Sequence, residues 1–149
     1  MLTTEEIAKS GFATRAVHVG AEKNMYGTLA APIYQTSTFI FENAEQGGRR
    51  FALEEEGYIY TRLGNPTCNA VEQKVASLEG AEACVSASSG MGAITSAIWV
   101  CVQAGDHIVA GKTLYGCTYA FMEHGLKRYG VEVSFVDMRD PKEVEKAMR

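Results

Sequence analysis

The chain is 149 residues long, 46% hydrophobic and 21% charged, with a formal net charge of −4. That is the composition of an ordinary globular domain, long enough to bury a core without disulfides or metal. The acidic balance argues against nucleic acid as a partner, and no apolar run approaches the roughly 18 residues of a membrane span.

The opening Met1–Ser10 carries Glu5 and Glu6 and no apolar stretch, so it does not read as a secretory signal, and a cytoplasmic location is expected. Residues 1–64 hold little periodic apolar pattern but many aromatics, among them Phe12, Tyr34, Phe39, Phe41, Tyr58 and Tyr60. This reads as a loop-rich arm that wraps a neighbouring subunit. Within it, Glu54-Glu55-Glu56 reads as a solvated face or a helix end.

From residue 65 to residue 149 the pattern changes to strands alternating with helices. Asn65-Pro66 is a helix start, Val71, Val75 and Leu78 follow at helical spacing, and Gly80 suits the stop. Ala83–Ala87 is expected as a buried strand. It leads through Ser88-Ser89-Gly90-Met91-Gly92 into a helix with Ile94, Ala97, Ile98 and Cys101 on one face. His107–Ala110 reads as the next strand, Tyr115-Gly116-Cys117 opens a helix that stops near Gly130, Val131–Val136 is a third strand, and Asp140-Pro141 starts another helix. Such alternation predicts an α/β fold with a mostly parallel sheet and flanking helices. Three short strands make a poor closed domain, so the chain reads as cut.

Four cysteines, Cys68, Cys84, Cys101 and Cys117, stand 16, 17 and 16 residues apart. No pair has the two-residue spacing of a zinc site and no histidine clusters with them, so reduced thiols are expected, three of them packed as small hydrophobes.

The strongest chemical signal is Ser88–Gly92. Unpaired amides at a helix start, glycines that admit close approach and serine hydroxyls together make a phosphate cradle. The same pattern fits a tight strand-to-helix turn. A dinucleotide site needs a third glycine and a carboxylate after the next strand, and both are missing. A phosphate-bearing aromatic cofactor fits better. Tyr115 falls on the same sheet edge, where it would stack on a ring or lie half-packed under a loop. Tyr60 and Arg62 offer bonds to a phosphate, or belong to a surface strand.

Pro32–Phe39, Tyr58–Thr67, Ser88–Ala93 and Thr113–Thr118 follow in the order found in the Cys/Met-metabolism family of pyridoxal-phosphate enzymes, which the chain resembles from about Gly11 to its end. The resemblance implies part of a fold-type-I large domain preceded by an N-terminal arm. It implies pyridoxal 5'-phosphate as cofactor and no metal. The amides of Gly90 and Met91, with Ser89, would hold its phosphate, and Tyr60 and Arg62 would reach it from a partner subunit. Tyr115 would stack on the ring and protonate a departing thiol. Cys117 would line the substrate pocket, although a thiol buried at a helix start is the alternative. Leu114-Tyr115-Gly116-Cys117 points to the members that eliminate methanethiol from methionine, leaving 2-oxobutanoate and ammonia. Sister activities are O-acetylhomoserine sulfhydrylation and cystathionine cleavage; a non-catalytic truncated product is the reading from another class. A homodimer with shared sites, paired into a tetramer, follows from the family. None of the lysines from Lys9 to Lys146 stands in the context of the family's cofactor-anchoring lysine, so these residues alone are expected to be inactive.

Overall fold

Caps set most of the helix boundaries in the computed structural model, which describes residues 6–7, 9–20 and 24–149. The reading of Met1–Ser10 and the position of Lys23 therefore fall partly or wholly outside the described residues. Helix α1 runs Phe12–His18 and α2 runs Ala44–Phe51, where the Asn43 side chain accepts from Gln46 N. Helix α3, Pro66–Glu79, starts on Asn65 with Pro66 in its first turn and ends on Gly80 at φ 67°. Helix α4 is Gly90–Trp99, capped by Ser89. Strand β1 is His107–Gly111; α5, Gly116–Ala120, continues as a π turn Phe121–Gly125 and a 3-10 turn Leu126–Tyr129 before Gly130 stops it at φ 77°. Strand β2 is Glu132–Val136, and α6, Pro141–Ala147, starts on Asp140. These bounds match the expected helices and the last two expected strands closely.

The chain divides into two compact units, one ending at Ser86 and one running Ala87–Arg149. In the second, β1 and β2 pair in parallel, His107 opposite Glu132 through Gly111 opposite Val136, and the helical segment 116–129 crosses between them. Ala110, Met122, Leu126 and Val131 form its core, with Leu126 and Val131 at 0% and 1% exposure. Ile98, Leu114, Phe121 and Phe135 close around them. This is the expected parallel sheet with flanking helices.

Ala83–Ala87 is a correction: it forms no strand, and Val85 is 87% exposed. A strand exists by pairing, and here the amide and hydroxyl of Ser86 are both taken by Glu72 Oε1 on α3, at 2.7 Å each. The expected burial of three cysteines also fails. Cys68 and Cys101 are exposed thiols and only Cys84 is half-buried, because the outer faces of α3 and the end of α4 are uncovered. On α4, likewise, Ile94 and Ile98 are half-buried while Ala97 is exposed.

In the first unit the acidic run does lie just past a helix end, but Glu55 is not merely solvated. It accepts from Gln46 Nε2 at 2.9 Å and Arg49 Nη2 at 2.7 Å, and pairs with Arg50, tying the loop back on α2. Gly20, at φ 76°, lets the turn after α1 press on α3: a Cβ there would stand 2.2 Å from the Ala70 carbonyl oxygen.

Candidate functional site

The start of α4 has four amides that the helix itself cannot satisfy in full. Ala93 N reaches the Ser89 carbonyl at 3.0 Å, and Gly92 N reaches Ser89 Oγ at 2.9 Å. The amides of Gly90 and Met91 are left with no acceptor among the described residues. Gly90 is exposed, and a Cβ on it would meet nothing within 4 Å, so the turn around it is uncrowded. Two free donors, an uncrowded turn and the positive end of a helix suit an anion, and a phosphate monoester fits them. Ser89 spends its oxygen lone pair on the cap and keeps its own O–H to donate.

Thr118 joins this turn to the next one. It is 5% exposed, and its hydroxyl donates to Met91 Sδ at 3.5 Å. Tyr115 and Cys117 therefore lie at the start of a helix that touches the Met91 side chain. Leu114 packs against the core, while Tyr115 at the helix start is 68% exposed. Hydrogen bonding to Cys117, the charge Cys117 can carry and some burial together push the Tyr115 phenol above its ordinary range. Such a phenol keeps its proton, as a donor must. Cys117 is exposed, so the buried-thiol alternative does not hold. Lys112 is exposed too, and pairs with Glu143 at 3.6 Å.

Tyr60 and Arg62 belong to the first unit. The Arg62 guanidinium lies over the Tyr60 ring, 5.2 Å from its centroid. Tyr60 forms an antiparallel bridge with Thr38, and the turn that follows is closed by Leu63 N on the Tyr60 carbonyl at 2.8 Å. The pair lines an open groove of about 680 Å³ together with Ile33, Tyr34, Thr36 and Cys68. The sequence reading missed Thr118. Its signal was its position three residues after Tyr115, on the same helix face.

The Cys/Met metabolism PLP-dependent enzyme family profile matches residues 13–149. L-methionine gamma-lyase of Porphyromonas gingivalis is 72% identical over 97% of this chain, and that of Treponema denticola 68% over 99%. The chain spans only 36% and 37% of those relatives, about a third of their length. A crystal structure of a putative O-acetylhomoserine (thiol)-lyase from Campylobacter jejuni, with N'-pyridoxyl-lysine-5'-monophosphate, superposes at a TM-score of 0.87 and 33% identity. It covers 95% of this chain and 35% of that one. With a turn at the start of α4 whose free amides suit a phosphate, and with that profile running over nearly its whole length, the chain belongs to the Cys/Met-metabolism family of PLP-dependent enzymes.

Proposed function

We propose that the protein carrying this chain is a carbon–sulfur lyase that eliminates methanethiol from L-methionine, leaving 2-oxobutanoate and ammonia. The observation that carries the reading is the junction of the free Gly90 and Met91 amides with the Tyr115–Cys117 turn through Thr118. The choice of methionine is supported by the far higher identity to the methionine lyases than to the thiol-lyase.

Pyridoxal phosphate, when bound, supplies the electron sink for the carbanions of an elimination. The chain's own residues do the rest. The Gly90 and Met91 amides and the Ser89 hydroxyl bind the phosphate at the positive end of α4. Tyr60 and Arg62, presented by the 1–64 arm of a neighbouring subunit, complete the phosphate site with charge-assisted bonds. Tyr115 lies against the cofactor ring and gives its phenolic proton to the departing sulfur, a role its raised pKa suits. Cys117 lines the pocket beside it. Residues 65–149 then form the opening part of the cofactor domain, in a homodimer or a pair of dimers.

The test is product analysis on the complete polypeptide that carries this segment. Methanethiol and 2-oxobutanoate should appear in equal amounts from methionine. Turnover of O-acetylhomoserine with sulfide, and none of methionine, would overturn the substrate assignment.

A further inference from the structure

Asn65 carries more bonds than its place in the fold demands. As the cap of α3 it needs only Oδ1, which accepts from Thr67 N at 2.8 Å. Aspartate or serine caps a helix as well. The amide nitrogen is spent elsewhere: Nδ2 donates to the Tyr34 carbonyl and to Thr61 Oγ1, each at 3.0 Å. The side chain does this at 3% exposure, where an unmade bond is costly. Of the good caps, only asparagine offers an acceptor and two N–H donors at once.

One of those donor bonds reaches Thr61, the residue between Tyr60 and Arg62. Thr61 N donates to the Ser37 carbonyl at 2.8 Å, and its hydroxyl donates to the Thr36 carbonyl. Tyr34, the other acceptor, is held by its own amide on Thr67 Oγ1 at 2.8 Å. Asn65 thus ties the 34–38 segment, the start of α3 and the Tyr60–Arg62 turn at one point. With Thr61 drawn inward, its two neighbours stack on each other over the groove.

We propose that Asn65 is a positioning residue, setting through Thr61 how Tyr60 and Arg62 are presented to the cofactor phosphate; this rests on their assignment to that phosphate. Asn65→Asp keeps the cap but sets an acceptor against the Tyr34 carbonyl, so it separates the two roles.

The measurement is equilibrium titration of the complete assembled protein, stripped of cofactor, with pyridoxal phosphate and with pyridoxal, which lacks the phosphate. Asn65→Asp should raise the Kd for pyridoxal phosphate about tenfold and leave that for pyridoxal unchanged. Combined with Arg62→Ala, it should add little further loss. Thr61→Val, which removes the hydroxyl without changing the cap, should act in the same direction and serves if Asn65→Asp does not fold. Equal weakening of both ligands, or no weakening while Arg62→Ala weakens pyridoxal phosphate, would overturn the inference alone. No effect of Arg62→Ala would overturn the phosphate assignment beneath it.

Discussion

Cys117 raises the proton affinity of the Tyr115 phenol. The phenol is held up first by its hydrogen bond with Cys117 and then by the thiol's charge. Both effects disfavour the phenolate, so removing the thiol must ease loss of the phenolic proton. Cys117→Ala should therefore lower the Tyr115 pKa toward that of an ordinary phenol. Ultraviolet difference titration against Tyr115→Phe measures it, and the alkaline limb of the activity profile should move to lower pH with it. An unchanged or higher pKa would remove Cys117 as the cause. Ser89→Ala loses the bond to Gly92 N and should cost about 1 kcal/mol in denaturant unfolding of the complete protein. The helix starts at Ser89-Gly90 and at Tyr115 were legible in the sequence because caps and glycines announce a helix start locally. The bond from Asn65 to the Tyr34 carbonyl and that from Thr118 to Met91 were not, because those partners lie 31 and 27 residues away.

At the scale of elements, caps were the legible part. Asn65-Pro66 and Asp140-Pro141 each mark a helix start to the residue. Ala83–Ala87 was not legible, since its apolar run is that of a buried strand and nothing in it announces that Glu72, on the preceding helix, takes the Ser86 amide. The approach of the Gly20 turn to α3 was equally hidden. Gly20→Ala should destabilise the protein by roughly 2 kcal/mol or more, the left-handed backbone adding about 1–2 kcal/mol to the steric conflict with Ala70. A melting temperature equal to the parent's would contradict this. Leu126, wholly buried under the sheet, should cost about 2–5 kcal/mol as Leu126→Ala. The loop after α2 carries a pH dependence of its own. Hydrogen bonding from Arg49, ahead of that from Gln46, holds Glu55 below the usual carboxylate range. A carboxyl with a depressed folded pKa stabilises above its unfolded value and loses that contribution as pH falls through the folded one. The protection factors of the α2 amides, which correct for the intrinsic pH dependence of exchange, should therefore fall at acid pH and stay flat over the same range in Glu55→Gln.

Seen whole, the chain holds the Ser89–Gly92 turn proposed for the phosphate, Tyr115, proposed for the ring, and Tyr60 and Arg62 of the proposed arm. The cofactor-anchoring lysine expected of the family has no counterpart in context among its lysines. Expressed alone, the 149 residues should release no methanethiol from methionine, whereas the complete protein should, as an electrophilic thiol reagent in the assay headspace would report. The fold class was legible at this scale because strand–helix alternation is a property of the whole pattern, robust to the loss of one strand.

The parallel pair has a consequence for how the polypeptide is made. His107 meets Glu132 across a separation of only about 25 residues, so β1, the crossover and β2 can assemble soon after they leave the ribosome. What emerges is a two-stranded nucleus whose outer edges are paired with no other strand among the described residues. While those edges stay uncovered, neighbouring nascent chains on one message compete for them. Whatever delays their covering would lengthen that exposure, and a chaperone that shields strand edges would shorten it.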